Sequence, residues 1–161
     1  LLIKLIPLLK QKGIRVGLVK HAHHHFDIDH PGKDSYELRK AGATEVVIAS
    51  KKRIASIHEI PIQQDEPILK DALSHIQTEH LDLVLIEGFK TEEIPKIELH
   101  RKELNKPYIY PNDNGIIAIA VDEPDDLPDT DKRIKQLDLN QPEDIVEFIQ
   151  QWLDQPKPEA T

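Results

Sequence analysis

Two stretches of this chain carry residue types that could do chemistry. The first is Leu81–Lys90, LDLVLIEGFK, in which the unbroken apolar run Leu83–Ile86 ends at Glu87-Gly88. Apolar residues without alternation are the habit of a strand buried on both faces of a helix-covered parallel sheet. Such sheets do their chemistry outside the carboxyl ends of their strands. A carboxylate followed by glycine at that edge has the form of a Walker-B acid, which holds the magnesium of a bound nucleotide. A core strand ending in an ordinary polar turn has the same pattern, and this segment alone leaves both open.

The second stretch is KHAHHHFDIDHPGK, residues 20–33, with five histidines and two aspartates. On extended chain His23 and His25 share a side, and Asp27 and Asp29 continue it. Imidazole with carboxylate suits zinc, nickel or iron. Three readings compete. One is a solvated tract that captures metal adventitiously. Another is a defined metal site, although closed sites usually draw ligands from separate elements. The third is a loop that handles anionic phosphates, with Lys20, Lys33 and Arg39 supplying positive charge. Gly32-Lys33 is not a Walker A loop. Asp27 stands where the first glycine of G-x-x-x-x-G-K-[ST] belongs, and Asp34 replaces the hydroxyl that binds magnesium.

Composition narrows the class. A formal net charge of −8 opposes nonspecific nucleic-acid binding, since phosphates are repelled on average. The absence of cysteine excludes disulfides, thiolate zinc sites, iron–sulfur clusters and cysteine nucleophiles. Leu1–Leu9 is interrupted by Lys4 and Pro7 and lacks a cleavage site, so it does not read as a signal peptide. No apolar run is long enough to cross a bilayer, and the cytoplasm is the expected location. The 161 residues suit one domain over 1–155, with a frayed tail at 156–161.

The elements that must position these residues follow from periodicity. Leu2, Leu5, Ile6 and Leu9 share a helical stripe that Pro7 should kink and Gly13 should stop. Ile14–Val19 reads as a strand. Asp34-x-x-Glu37 reads as a capping box for a helix through Lys40, stopped by Gly42. Thr44–Ser50 and Arg53–Ile60 read as a hairpin about a Lys-Lys turn. Asp65 is the expected cap of a helix to about Thr78, with Ile68, Leu69, Ala72, Leu73 and Ile76 facing inward. After the strand Asp82–Glu87, Lys96–Arg101 alternates as a half-exposed strand and 103–115 is a surface loop. Gly115–Val121 is a second buried strand, and the acidic segment 123–131 is another loop. Lys135–Leu139 is a short strand, and a closing helix faces inward with Ile145, Phe148, Ile149 and Trp152. Alternating strands and helices make the class α/β with a mostly parallel sheet, helices on both faces and an antiparallel hairpin extension.

The run VGLVKHAHHHFDIDHPGKDSYELRKAGA, with LDLVLIEGFK and Glu92 beyond it, closely resembles the molybdopterin-guanine dinucleotide biosynthesis adapter family, MobB. The combination K-H-x-H-H, D-x-D, P-G-K-D-S-Y and A-G-A in that order is far more specific than any one piece. The resemblance implies a P-loop NTPase-like fold that binds GTP and magnesium and hydrolyses GTP weakly. It also implies an adapter, typically dimeric, for the guanylyltransferase that attaches GMP to molybdopterin. In the family pattern a strand and a G-x-x-x-x-G-K-T loop precede the helix that here begins LLIKLIP. Lacking that phosphate cradle, the residues given are expected to bind nucleotide poorly. Without a central strand, Ile14–Val19 or Asp82–Glu87 is expected to expose an edge.

Residue by residue, the resemblance puts Glu87 near magnesium or the attacking water, with Gly88 beside it. It puts Lys20, His21, His23 and His24 at the mouth beside the γ-phosphate or facing the pterin. Asp27, Asp29, Lys33, Asp34, Ser35 and Arg39 match its second half. Asp34 already has a structural use as a helix cap, and Arg39 is of a type more often solvated than ligating. His25 replaces an acidic residue of the pattern and carries no inference. No arginine finger or water-positioning glutamine stands near Glu87, so turnover is expected to be slow. Two other functions compete: a metal carrier using His21, His23, His24 and His25, and a scaffold that docks a partner enzyme through the hairpin Thr44–Ile60.

Overall fold

A computed structural model of the chain describes residues 1–22, 26–60, 66–123 and 134–156. Its elements run α1 (Leu2–Gln11), β1 (Val16–Lys20), α2 (Asp34–Lys40), β2 (Glu45–Ala49), β3 (Ile54–His58), α3 (Leu69–Ser74), β4 (Leu83–Glu87), β5 (Lys96–His100), β6 (Ile116–Val121), β7 (Lys135–Asp138) and α4 (Pro142–Leu153). The strands form three sheets, ordered β1-β4, β2-β3 and β5-β6-β7. β6 pairs in parallel with both β5 and β7, and β2 pairs with β3 antiparallel. The fold class is α/β with parallel pairing and an antiparallel hairpin. The chain divides into two compact units: Leu1–Leu18 with Ile76–Leu85 and Lys90–Thr161, and Val19–His75 with Ile86–Phe89.

In the first unit the apolar stripe of α1 buries Leu5 and Leu9 together with Ile145, Val146 and Ile149 of α4, against Ala118 and Ala120 of β6 and Leu137 of β7. Gly13, at φ 79°, ends α1 because the turn needs a left-handed residue there. Its N–H donates to the Lys10 carbonyl, and that of Ile14 donates back to the Leu9 carbonyl. On the other face of the β5-β6-β7 sheet, Ile116, Ile119 and Val121 pack with Tyr108 and Tyr110. The segment carrying those tyrosines includes two single-turn 3₁₀ helices, Lys102–Leu104 and Tyr110–Asn112. It is fastened by buried Glu98, whose two oxygens accept the N–H groups of Ile109 and Tyr110 at 2.8 Å each. In β5, which reads as half-exposed, Glu98 is thus an interior anchor.

Burial on both faces belongs to β6 rather than β4. Ala118, Ile119 and Ala120 are fully excluded from solvent, whereas Leu83, Val84, Leu85 and Ile86 are half-buried. Among the described residues β6 has a strand on each side and apolar side chains packed on both faces, whereas β4 has β1 alone beside it. β1 and β4 therefore each keep one unpaired edge among the described residues.

Two local expectations change. Asp34 is the first residue of α2 and not its cap; Lys33 holds the cap position, and the Glu37 carboxylate reaches back to the Gly32 N–H at 3.1 Å. The helix expected from Asp65 to Thr78 is shorter, and Ile68, expected to face inward, precedes it in extended conformation and is exposed. Asp65, the acidic segment 124–133 and the tail 157–161 lie outside the described residues.

Candidate functional site

Lys20 closes β1 and Glu87 closes β4. The Arg15 carbonyl accepts the N–H groups of Asp82 and Leu83 where the strands begin, and the Glu87 carbonyl accepts the His21 N–H at 2.8 Å where they end. The two strands therefore run the same way, and their carboxyl ends lie together. There the Lys20 ammonium stands 3.1 Å from the Glu87 carboxylate, with both side chains about half exposed. Glu87 is at the carboxyl rim with its charge toward solvent, as a nucleotide-facing acid requires.

The turn after Glu87 is shaped by sterics. Gly88 has φ 92°, and a Cβ there would lie 2.5 Å from the Cβ of His21. Only glycine lets the chain cross the histidine so closely. Phe89 follows at φ 51°, a left-handed conformation that costs a bulky residue about 1–2 kcal/mol. Its ring is buried, with its centroid 5.0 Å from that of His21, and this burial offsets the strain. The His21 ring is itself mostly enclosed, with Nε2 2.9 Å from the Glu66 carboxylate. Lys20, His21, Glu87 and Gly88 are thus one group, as the sequence suggests. Glu66 carries no local signal in the sequence, and Phe89, although inside the stretch Leu81–Lys90, has no role that its type or spacing there suggests.

A second group surrounds Arg39. Its side chain is only 7% exposed, against the expectation of a solvated or phosphate-facing residue. One terminal nitrogen lies 2.6 Å from Asp27 and 2.7 Å from Asp29, and the other lies 2.7 Å from Glu59. Glu59, Asp29 and Asp27 together hold the guanidinium above its ordinary pKa. In return Arg39 keeps the Asp29 carboxyl below the usual range against the opposing effect of burial, with Ser35 a smaller influence. Asp27 and Asp29 therefore face Arg39, and Arg39 directs both terminal nitrogens at carboxylates. The Asp29 Oδ2 and Arg39 Nε are buried without a hydrogen-bond partner. Glu59, at the end of the hairpin, was missed in the sequence for want of any local signal.

Lys33 is exposed at the start of α2, and Ser35 is half-buried on its first turn. Glu92 lies half-buried in the other unit. His23, His24 and His25 lie outside the described residues. Among the described residues no three His, Asp or Glu side chains converge as a metal site.

Parallel strands with an acid and a lysine at their carboxyl rim make this an α/β protein, and its solved structural neighbours are MobB proteins of the P-loop type. Residues 1–122 match the family MobB, molybdopterin guanine dinucleotide synthesis protein B, and the chain belongs to that family. It is 46% identical over 154 residues to the molybdopterin-guanine dinucleotide biosynthesis adapter protein of Escherichia coli (strain K12), covering 95% of this chain and 85% of that protein. It is 41% identical over 154 residues to the adapter protein of the same description from Haemophilus influenzae, covering 95% and 81%. Among solved structures, a crystal structure of molybdopterin-guanine biosynthesis protein B superposes with a TM-score of 0.65 at 25% identity. It covers 94% of this chain and 89% of that one.

Proposed function

We propose that this protein is a GTP-binding adapter in molybdenum cofactor biosynthesis. On this reading it assists the guanylyltransferase that attaches GMP to molybdopterin, acts in the cytoplasm as a homodimer, and hydrolyses GTP weakly. Family membership supports the pathway, and the observation that supports nucleotide binding is Glu87 at the carboxyl rim beside Lys20. No helix among the described residues is long and apolar enough to cross a membrane, in keeping with that location.

The residues present fit magnesium in one way only. Magnesium keeps several waters and takes one or two carboxylates together with substrate phosphates. A single rim carboxylate, Glu87, suits that arrangement, whereas an all-protein cage is absent among the described residues. Magnesium would neutralise charge on the phosphates there. Lys20 would add positive charge to the rim and hold the Glu87 side chain in place. Gly88 and Phe89 would keep His21 against the Glu87 backbone.

The test is titration calorimetry of the complete gene product with GTP and magnesium. Binding is expected, and Glu87→Gln is expected to lower magnesium-dependent hydrolysis by about 10²-fold or more. Absence of guanine-nucleotide binding overturns the reading.

A further inference from the structure

Strands β1 and β4 carry an ion pair at each end, and the two pairs are built differently. Where the strands begin, Arg15 donates its backbone N–H and two guanidinium N–H groups to both oxygens of Asp82 at 2.8–2.9 Å. That is a fork held at three points. Where they end, Lys20 and Glu87 meet through one contact of 3.1 Å, and neither side chain has another polar partner among the described residues. The backbone beneath them is fixed all the same. The His21 N–H is tied to the Glu87 carbonyl at 2.8 Å, and Gly88 passes so close to His21 that no side chain fits between. Two loosely paired charges thus stand on a rigid base.

A pair between half-exposed charges adds little to stability, so little is lost when its members change partners. The charges around it favour such a change. Glu66 reaches His21 Nε2 at 2.9 Å, so two carboxylates, Glu66 and Glu87, stand here against the one ammonium of Lys20. A polyphosphate is repelled by that balance until a divalent cation covers one carboxylate. Once Glu87 is engaged in this way, Lys20 loses its counter-charge and requires another anion. Its four-carbon stem lets the head move while the backbone stays in place, and an ammonium pairs with a phosphate oxygen as a point charge.

We propose that Lys20 reads the terminal phosphate of the nucleotide, exchanging Glu87 for the γ-phosphate when GTP and magnesium bind together. Lys20 is then the residue that separates a triphosphate from a diphosphate, since a diphosphate leaves it nothing to move to. The alternative use, a permanent tether for Glu87, is served better by the forked geometry that Arg15 gives Asp82 than by a single contact from a lysine. The exchange also gives an adapter two states, Lys20 on Glu87 or Lys20 on phosphate, that differ in charge at the rim. The inference rests on the GTP-binding reading and names the residue that sets its preference among guanine nucleotides.

The test is titration calorimetry of the complete gene product with GTP and with GDP, each with and without magnesium, with circular dichroism as a check on folding. In magnesium the wild type is expected to prefer GTP by about tenfold or more, the worth of one charge-assisted hydrogen bond. Lys20→Met, which keeps the stem and removes the charge, is expected to abolish that preference by weakening GTP alone, and Lys20→Arg to keep most of it. Glu87→Gln releases Lys20, so GTP binding without magnesium is expected to tighten, and the double variant Lys20→Met, Glu87→Gln to lose that gain. If Lys20→Met weakens GTP and GDP equally, or neither, Lys20 only tethers Glu87 and the inference fails while the GTP-binding reading stands. A magnesium-free gain that persists in the double variant, or a wild type that binds GTP and GDP equally, has the same consequence. Absence of guanine-nucleotide binding by the wild type overturns both.

Discussion

The two units exclude water by different means. In the unit containing α1, β6, β7 and α4, Leu5, Leu9, Ala118, Ala120, Leu137, Leu139, Ile145, Val146 and Ile149 form one apolar core. In the other, the buried apolar side chains among the described residues are Val19, Leu69 and Phe89, and the interior also holds Arg39 and Asp29. Hydrocarbon burial is non-directional and survives swaps that keep volume. A buried ion network is directional, and removing one partner strands the rest. Lys20, His21, Asp27, Asp29, Arg39 and Glu87 belong to the second kind of unit, so their placement depends on a few pairings more than on packing.

The largest effect is expected from Arg39→Met, which keeps volume and leaves Asp27, Asp29 and Glu59 converging without a cation. Hydrogen exchange of residues 26–60 is expected to lose protection there while α4 keeps its own. Unchanged protection in 26–60 would break the contrast between the units. Next comes Ile119→Ala, expected to cost roughly 2–5 kcal/mol in denaturant unfolding because the site is fully buried. Leu85→Ala on half-buried β4 is expected to cost about 1–2 kcal/mol; equal costs would mean that the two apolar strands are not differently enclosed.

Gly88→Ala is expected to cost about 1–3 kcal/mol through its positive φ and the clash with His21, and to shift the His21 ring resonances. The smallest effect concerns acid. Arg15 holds the Asp82 carboxyl below its ordinary value, first through the side-chain hydrogen bonds and then through the Arg15 N–H. Arg39 does the same for Asp29. A folded-state value below the unfolded one contributes stability that is present above about pH 4 and lost as pH falls through the folded value. Stability is therefore expected to hold from neutral pH to about 4 and then decline. Asp82→Asn should shallow that decline slightly, since its pair is exposed. An identical acid limb in the variant would remove Asp82 from the account.

Local pattern alone determined much of this protein. Spacing of Leu5 and Leu9 marks α1, Gly13 marks its end, β-branched runs about Lys51-Lys52 mark the hairpin, and the apolar run before Glu87 places an acid at a strand's end. Each depends on neighbours within a turn or a strand, where periodicity and sterics act directly. Tertiary structure decided what periodicity does not encode: that β6 pairs with a strand on each side, that Arg39 turns inward to Asp27, Asp29 and Glu59, and that His21 meets Glu66 and Phe89. Those partners come from different elements, and desolvating a charge favours whichever counter-charge the fold brings within reach. A guanidinium on α2 reads the same in sequence whether it faces water or three carboxylates, and only the packing of the hairpin and loop around it settles the difference.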